Sequence, residues 1–263
     1  MPVPAVATEP ELEPSMLARA ARILYAFGSG PPEQSLADLV RKTGLPRSSV
    51  HRILNQLVAL RALERSENNY RLGIGILELG GLAAHHNRLH ECALPQLHAL
   101  HGRTGLAAHL SILDGHEIFY IDKVGVLPPG VDPSHAGGRQ PAYCTASGKA
   151  IMAFSAPHLT DQVIAAGTPP RTSATRDAQQ LRRELSQVRE QGIAFDRGEN
   201  YRGIHCLAAP IRDNGGYAVA AVSITGPRDL VRHRSLASLL LTSAQRIGRA
   251  FASGRRYPAS CVT

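Results

Sequence analysis

The sequence predicts an α+β fold in two parts: a helical head closed by a β-hairpin, and a larger body in which strands and helices alternate. Three observations lead there. Apolar residues recur at helical spacing in three short runs before residue 60. Strand-like runs with a tight Asp213-Asn214-Gly215-Gly216 turn lie beyond residue 107, and a glycine-bearing run separates the two regions. At 263 residues the chain has room for two domains of roughly 100–200 residues each.

In the head, Ser15 precedes Leu17, Ala20, Ala21, Leu24 and Phe27, a helix with a Ser cap, stopped by Gly28-Ser29-Gly30-Pro31-Pro32. Ser35 caps a second helix with Leu36, Leu39 and Val40 inward, and Thr43-Gly44 ends it where glycine supplies a left-handed turn. Leu45-Pro46 opens a third helix that runs from about Pro46 to Leu60. A hairpin follows, Ala62 to Arg65 and Tyr70 to Leu72 around a polar turn. Gly73 to Arg88 reads as a helix, but Gly75, Gly80 and Gly81 each weaken it by roughly 1 kcal/mol relative to Ala, so a packed joint is expected rather than a free helix.

In the body, helices are expected near 92–103, from about Ser147, over 177–191 and over 229–253. Strands are expected near 107–113, 117–124, 193–196, 204–212 and 217–225, with a Pro/Gly-rich loop over 125–142. The resulting division is a disordered acidic tail (1–14), a three-helix head closed by a hairpin (15–73), a glycine-bearing helical run (74–88) and an α+β body (89–255).

Placed at about 100° per residue, the third helix puts Val50, Ile53, Leu54 and Leu57 on one face and Ser48, Arg52 and Asn55 on the other, with His51 at the flank. An Arg suits guanine and an Asn suits adenine; Arg47 and Ser49 sit nearer phosphate, at the helix N-terminus. The hairpin adds Arg65, Asn68, Asn69 and Arg71. Charge agrees. The chain carries +8, and residues 15–73 hold nine Arg/Lys against four Asp/Glu, a density of positive charge suited to double-stranded DNA.

The first fourteen residues carry three glutamates, no basic residue and no apolar core, so they do not read as a targeting signal, and no run approaches the ~20 apolar residues of a membrane helix. A cytoplasmic protein is expected. Four scattered cysteines lack CxxC spacing, which fits free thiols. No cofactor is called for. The Gly148-Lys149 pair is not a P-loop, because Tyr143 and Ala150 stand where that motif needs Gly and Ser/Thr.

Two other function classes have candidate residues in the chain. A Cys-dependent hydrolase would use Cys206, His205 and Asp196, but neighbours in a strand face opposite ways, which argues against the dyad. A metal-responsive regulator would use His86 and His90 at i, i+4 spacing with Cys92, His98 and His101 nearby; among 12 histidines, chance proximity is the better explanation.

The stretch SLADLVRKTGLPRSSVHRILNQLVALRALERSENNYRLG closely resembles the winged helix of the IclR family of bacterial transcriptional regulators. TASGKAIMA (145–153), GIAFDRGENYRGIHCLAAPIRD (192–213) and AVSITGP (221–227) resemble the same family's effector domain, in the same order. The resemblance implies a winged helix-turn-helix DNA-binding domain (15–73), a linker helix (74–88) and a GAF-like antiparallel-sheet domain for effector binding and oligomerisation (89–255), with homodimers or homotetramers, palindromic operators and a small organic acid as effector. It also implies a pocket lined by Gln140, Ala146, Ser147, Asp196, Cys206, Ser223 and Thr225. Strand alternation independently puts Ser223 and Thr225 on one face. A loop-to-helix junction at Thr145–Gly148 offers backbone N–H groups to a carboxylate, unless Ser147 merely caps the helix. Gln140 stands where the family often has an apolar residue, which predicts a more polar wall. Arg197-Gly198 replaces an acidic pair common in the family, altering the charge expected near Asp196.

Overall fold

The computed structural model describes residues 15–28, 30–127, 134–229 and 234–253; the acidic tail therefore lies outside the described residues. The chain divides into two compact units, one ending at His86 and the other beginning at Asn87.

The first unit contains α1 (Met16–Tyr25), α2 (Leu36–Thr43) and α3 (Arg47–Ala59), then the hairpin β2 (Leu63–Ser66) and β3 (Asn69–Leu72). A strand too short to show any alternation in sequence, β1 (Gln34–Ser35), pairs antiparallel with β3 and completes a sheet of order β1-β3-β2. Ser35 closes a capping box with Asp38 at the start of α2. Its hydroxyl and N–H both donate to the Asp38 carboxylate and hold that group down to about 2. Gly44 takes φ +65°, the left-handed turn expected between α2 and α3. Ile23, Leu39, Val50, Ile53, Leu54, Leu57, Leu63 and Tyr70 form the core, each apolar side chain contributing roughly 1.5–3 kcal/mol by leaving water.

Helix α4 (Ile74–His85) starts where expected but does not run to Arg88. The Asn87 side chain accepts the His90 N–H at 3.1 Å and caps a new helix, α5 (Arg88–Thr104). The glycines have two different settings. A Cβ at Gly73 would lie 2.4 Å from the Arg61 carbonyl oxygen, and one at Gly75 2.9 Å from it, whereas Gly80 and Gly81 face open space. The packed joint thus lies at the beginning of α4 only.

The second unit is built on six antiparallel strands: β4 (Ala107–Asp114), β5 (Glu117–Val124), β6 (Arg139–Pro141), β7 (Ala194–Arg197), β8 (Ile204–Arg212) and β9 (Ala218–Pro227), in the order β6-β5-β4-β9-β8-β7. Alternation divides their side chains between two cores. Ala108, Leu110, Leu207, Ala209, Ile211, Ala220, Val222 and Ile224 pack on α5 and α9 (Arg234–Ala252). Ile118, Tyr120, Ala194, Ala208 and Ala221 pack on α6 (Ala146–Ala153), α7 (Pro157–Ala165) and α8 (Ala178–Gln191). Helix α7, absent from the sequence expectation, follows the Pro at its first position. The expected helix over 229–253 is described from Arg234; residues 230–233 and the expected end of the domain at 254–255 lie outside the described residues.

Candidate functional site

In the first unit, α3 buries Val50, Ile53, Leu54 and Leu57 and exposes Arg47, Ser48, His51, Arg52 and Asn55, with Ser49 half-buried. Among the described residues neither Arg47 nor Arg52 makes an ion pair, so both guanidiniums are available to an external anion or base edge. The hairpin differs. Arg71 donates two hydrogen bonds to Glu64 Oε2, at 2.9 and 2.7 Å, across the β2–β3 register. Arg65 lies over the Tyr70 ring and donates to the Glu67 carbonyl. Asn68 is exposed at the turn, while Asn69 is half-buried and already paired in β3.

In the second unit, strand register builds a polar wall. Asp196 of β7 pairs with Cys206 of β8, Cys206 with Thr225 of β9, and Thr225 with Ala107 of β4, one row across four strands. Ser223 lies two residues from Thr225 on the same side. Facing this row is the start of α6. The cavity between them, about 20 Å³, is lined by Ala146, Ser147, Asp196, Cys206, Ser223 and Thr225, together with Tyr120, Ser134, Thr145, Asn200, Tyr201 and Ile204. That volume holds roughly one water, so anything larger fits only if wall side chains move.

Thr145, not Ser147, caps α6: its hydroxyl accepts the Gly148 N–H at 3.3 Å. Ser147 and Ser223 are buried, and among the described residues their hydroxyls have no hydrogen-bond partner. Thr225 donates to Cys206 Sγ at 3.1 Å. Gln140 is not among the residues that line this cavity; its side-chain oxygen accepts the Asn200 amide N–H at 3.0 Å, and Asn200 does line it. Arg197, alternating away from Asp196, stacks over Phe195 at 4.4 Å, so its charge is directed elsewhere.

Burial, opposed by Lys149 and by the Glu199 N–H, raises the Asp196 carboxyl from 3.8 to about 7. Burial likewise pushes the Cys206 thiol up, away from nucleophilic chemistry. His205 and Cys206 occupy consecutive positions of β8. His90 is engaged with Asp122 at 3.0 Å, and among the described residues no three His, Cys, Asp or Glu side chains converge on a metal position.

Sequence reasoning passed over Lys149. It is wholly buried and donates to Glu199 at 2.7 and 2.9 Å and to Glu184 at 2.9 Å. The signal was a single cation inside an otherwise small and apolar helix, which requires a buried acid. Beside it, Gly148 presses on the preceding turn; a Cβ there would meet the Ala142 carbonyl oxygen at 2.2 Å.

Residues 16–67 match the IclR helix-turn-helix domain, and residues 81–249 match the bacterial transcriptional regulator IclR C-terminal domain. The chain belongs to the IclR family of bacterial transcriptional regulators. Within that family it is 31% identical to the HTH-type transcriptional regulator XynR of Escherichia coli over 92% of this chain and 97% of that one. It is 30% identical to the Pca regulon regulatory protein of Pseudomonas putida, over 80% and 73% of the two chains. Among solved structures it resembles an IclR homolog of Microbacterium hydrocarbonoxydans complexed with 4-hydroxybenzoate (TM-score 0.83, 26% identity, 91% and 100% coverage). As an IclR-family protein the chain is a DNA-binding transcriptional regulator that senses a small molecule. No helix among the described residues is long and apolar enough to cross a membrane.

Proposed function

We propose that α3 reads base edges in the major groove of a palindromic operator, through Ser48, Arg52 and Asn55, while Arg47 and Ser49 hold phosphates. The effector is a small organic acid bearing a hydroxyl, taken into the cavity of the second unit, whose two-faced antiparallel sheet is in keeping with a GAF-like domain. The observation that carries this reading is the Asp196–Cys206–Thr225 row opposite the start of α6. Ser147 and Ser223 offer donors to a carboxylate, while Asp196, and Thr225 with its proton directed at Cys206, accept from a hydroxyl. Effector and DNA are coupled only if the effector binds the DNA-competent and incompetent arrangements with different affinity.

The regulator acts as a homo-oligomer. Helix α4 exposes Ile74, Leu77, Leu79 and Leu82 with no buried residue. A second copy is the natural cover for such a surface.

The test is selection of genomic fragments by the full-length protein, then titration of the selected duplex with and without 4-hydroxybenzoate and related hydroxy acids. A ligand-induced change in operator affinity that is lost in Ser147→Val and Thr225→Val, with ligand-free DNA binding retained, supports the assignment. Equal affinity for selected and random DNA at every salt concentration defeats it.

A further inference from the structure

The six residues Gly198–Gly203 between β7 and β8 bring Asn200 and Tyr201 to the cavity, and Asp196 stands just before them. The segment begins and ends on glycines with φ +84°, and its apolar anchorage comes from Tyr201, packed beside Ala107, Leu127 and Ile204. Glu199 is nevertheless wholly buried and engaged at every polar group. Its carboxylate accepts both hydrogen bonds from Lys149, its N–H donates to Asp196 Oδ1 at 2.7 Å, and its carbonyl accepts from Thr175 at 2.7 Å and Thr172 at 3.2 Å. Lys149 sits two residues beyond Ser147 on α6, which forms the opposite wall.

We propose that the Lys149–Glu199 pair is the clamp that fixes one wall of the cavity against the other, with Glu199 as the positioning residue for Asp196 and Asn200. Buried ion pairs are poor stabilisers compared with apolar groups of the same size, and their best-attested use is to specify one geometry. Here the geometry specified is that of a glycine-bounded loop, and Glu199 converts the fixed position of α6 into the orientation of the Asp196 carboxylate. The proposal rests on reading this cavity as the effector site.

Lys149→Met alone strands the wholly buried Glu199 carboxylate, so the pair is removed together as Lys149→Met/Glu199→Gln in the full-length chain; Glu184, which also loses Lys149, keeps Arg176 and Arg197 within 3.8 and 3.9 Å. Amide hydrogen exchange is followed without any ligand. Amides of residues 197–203 are expected to exchange about ten-fold faster or more, while those of β4, β8 and β9 stay within about two-fold of the parent. Should the double variant fail to fold, Glu199→Gln supplies the same comparison with a smaller loop-confined increase. Unchanged exchange at 197–203, or a uniform rise across the second unit, overturns the clamp. Because no effector is used, a wild-type protein that proves to bind no small molecule overturns the effector reading alone and leaves the exchange result decisive for the clamp.

Discussion

The Arg61 carbonyl oxygen accepts a hydrogen bond from the Gly75 N–H at 2.9 Å and lies where a Cβ on Gly73 would be. This contact fastens the first turn of α4 to the turn that ends α3. An ion pair from Arg61 to Glu78, at 3.2 Å, extends the attachment one turn further.

Gly73→Ala should therefore destabilise the first unit by about 1–3 kcal/mol, as overpacking against a backbone atom does. Gly81→Ala, in open space on the same helix, should stabilise by about 1 kcal/mol. Urea midpoints of the two full-length variants, followed by far-ultraviolet circular dichroism, should move in opposite directions.

Arg52→Ala should cost about 1–3 kcal/mol in operator binding and relax preference at one base position. Arg71 already satisfies Glu64, so its removal should matter less. Glu64→Gln releases that guanidinium and should steepen the salt dependence of binding to random DNA by roughly one phosphate contact. Fluorescence anisotropy across a salt series distinguishes the three variants.

Asp196 gives the second unit a defined pH dependence. Its folded-state value of about 7 lies above the usual 3.8, so the native state holds a proton that the unfolded chain has released. The resulting contribution to stability is full below about pH 4, is lost progressively as pH rises to about 7, and is flat beyond. Asp196→Asn should flatten this part of the profile, raising the thermal midpoint at pH 8 relative to the parent and leaving pH 4 nearly unchanged. A parallel profile in the variant would show that the carboxyl is not the group responsible.

Leu77→Glu/Leu82→Glu should lower the mass of the assembly in analytical ultracentrifugation, because both side chains are exposed on α4 and would be covered by a second copy. An unchanged sedimentation coefficient would place the subunit contact elsewhere.

Helix α3 and strand β8 were legible because each buries a regular stripe: α3 spans Arg47–Ala59 with its apolar face as expected, and β8 covers Ile204–Arg212. The wall positions 196, 206, 223 and 225 came from resemblance, and register brings them together. What escaped has no periodic signature. Strand β1 is two residues long, and α7 is a short helix marked only by its proline. Ser147 and Thr145 are equally good caps on paper; only the hydrogen bond to Gly148 separates them. The polarity of Gln140 has its partner sixty positions away in Asn200, a pairing no sequence pattern announces. Lys149 and Glu199 are fifty positions apart, and only the folded chain brings a buried cation to its acid.

The Gly148-Lys149 pair carries a warning for anyone who scans genomes by pattern. Its glycine is required because the Ala142 carbonyl leaves no room for a side chain, and its lysine because a distant glutamate needs a counter-charge. Two unrelated demands of the fold have together spelled part of a nucleotide-binding signature. Engineering the surrounding letters toward that signature would add the vocabulary of phosphate binding to a helix buried on every side, and would yield a disrupted sensor rather than a new ATPase.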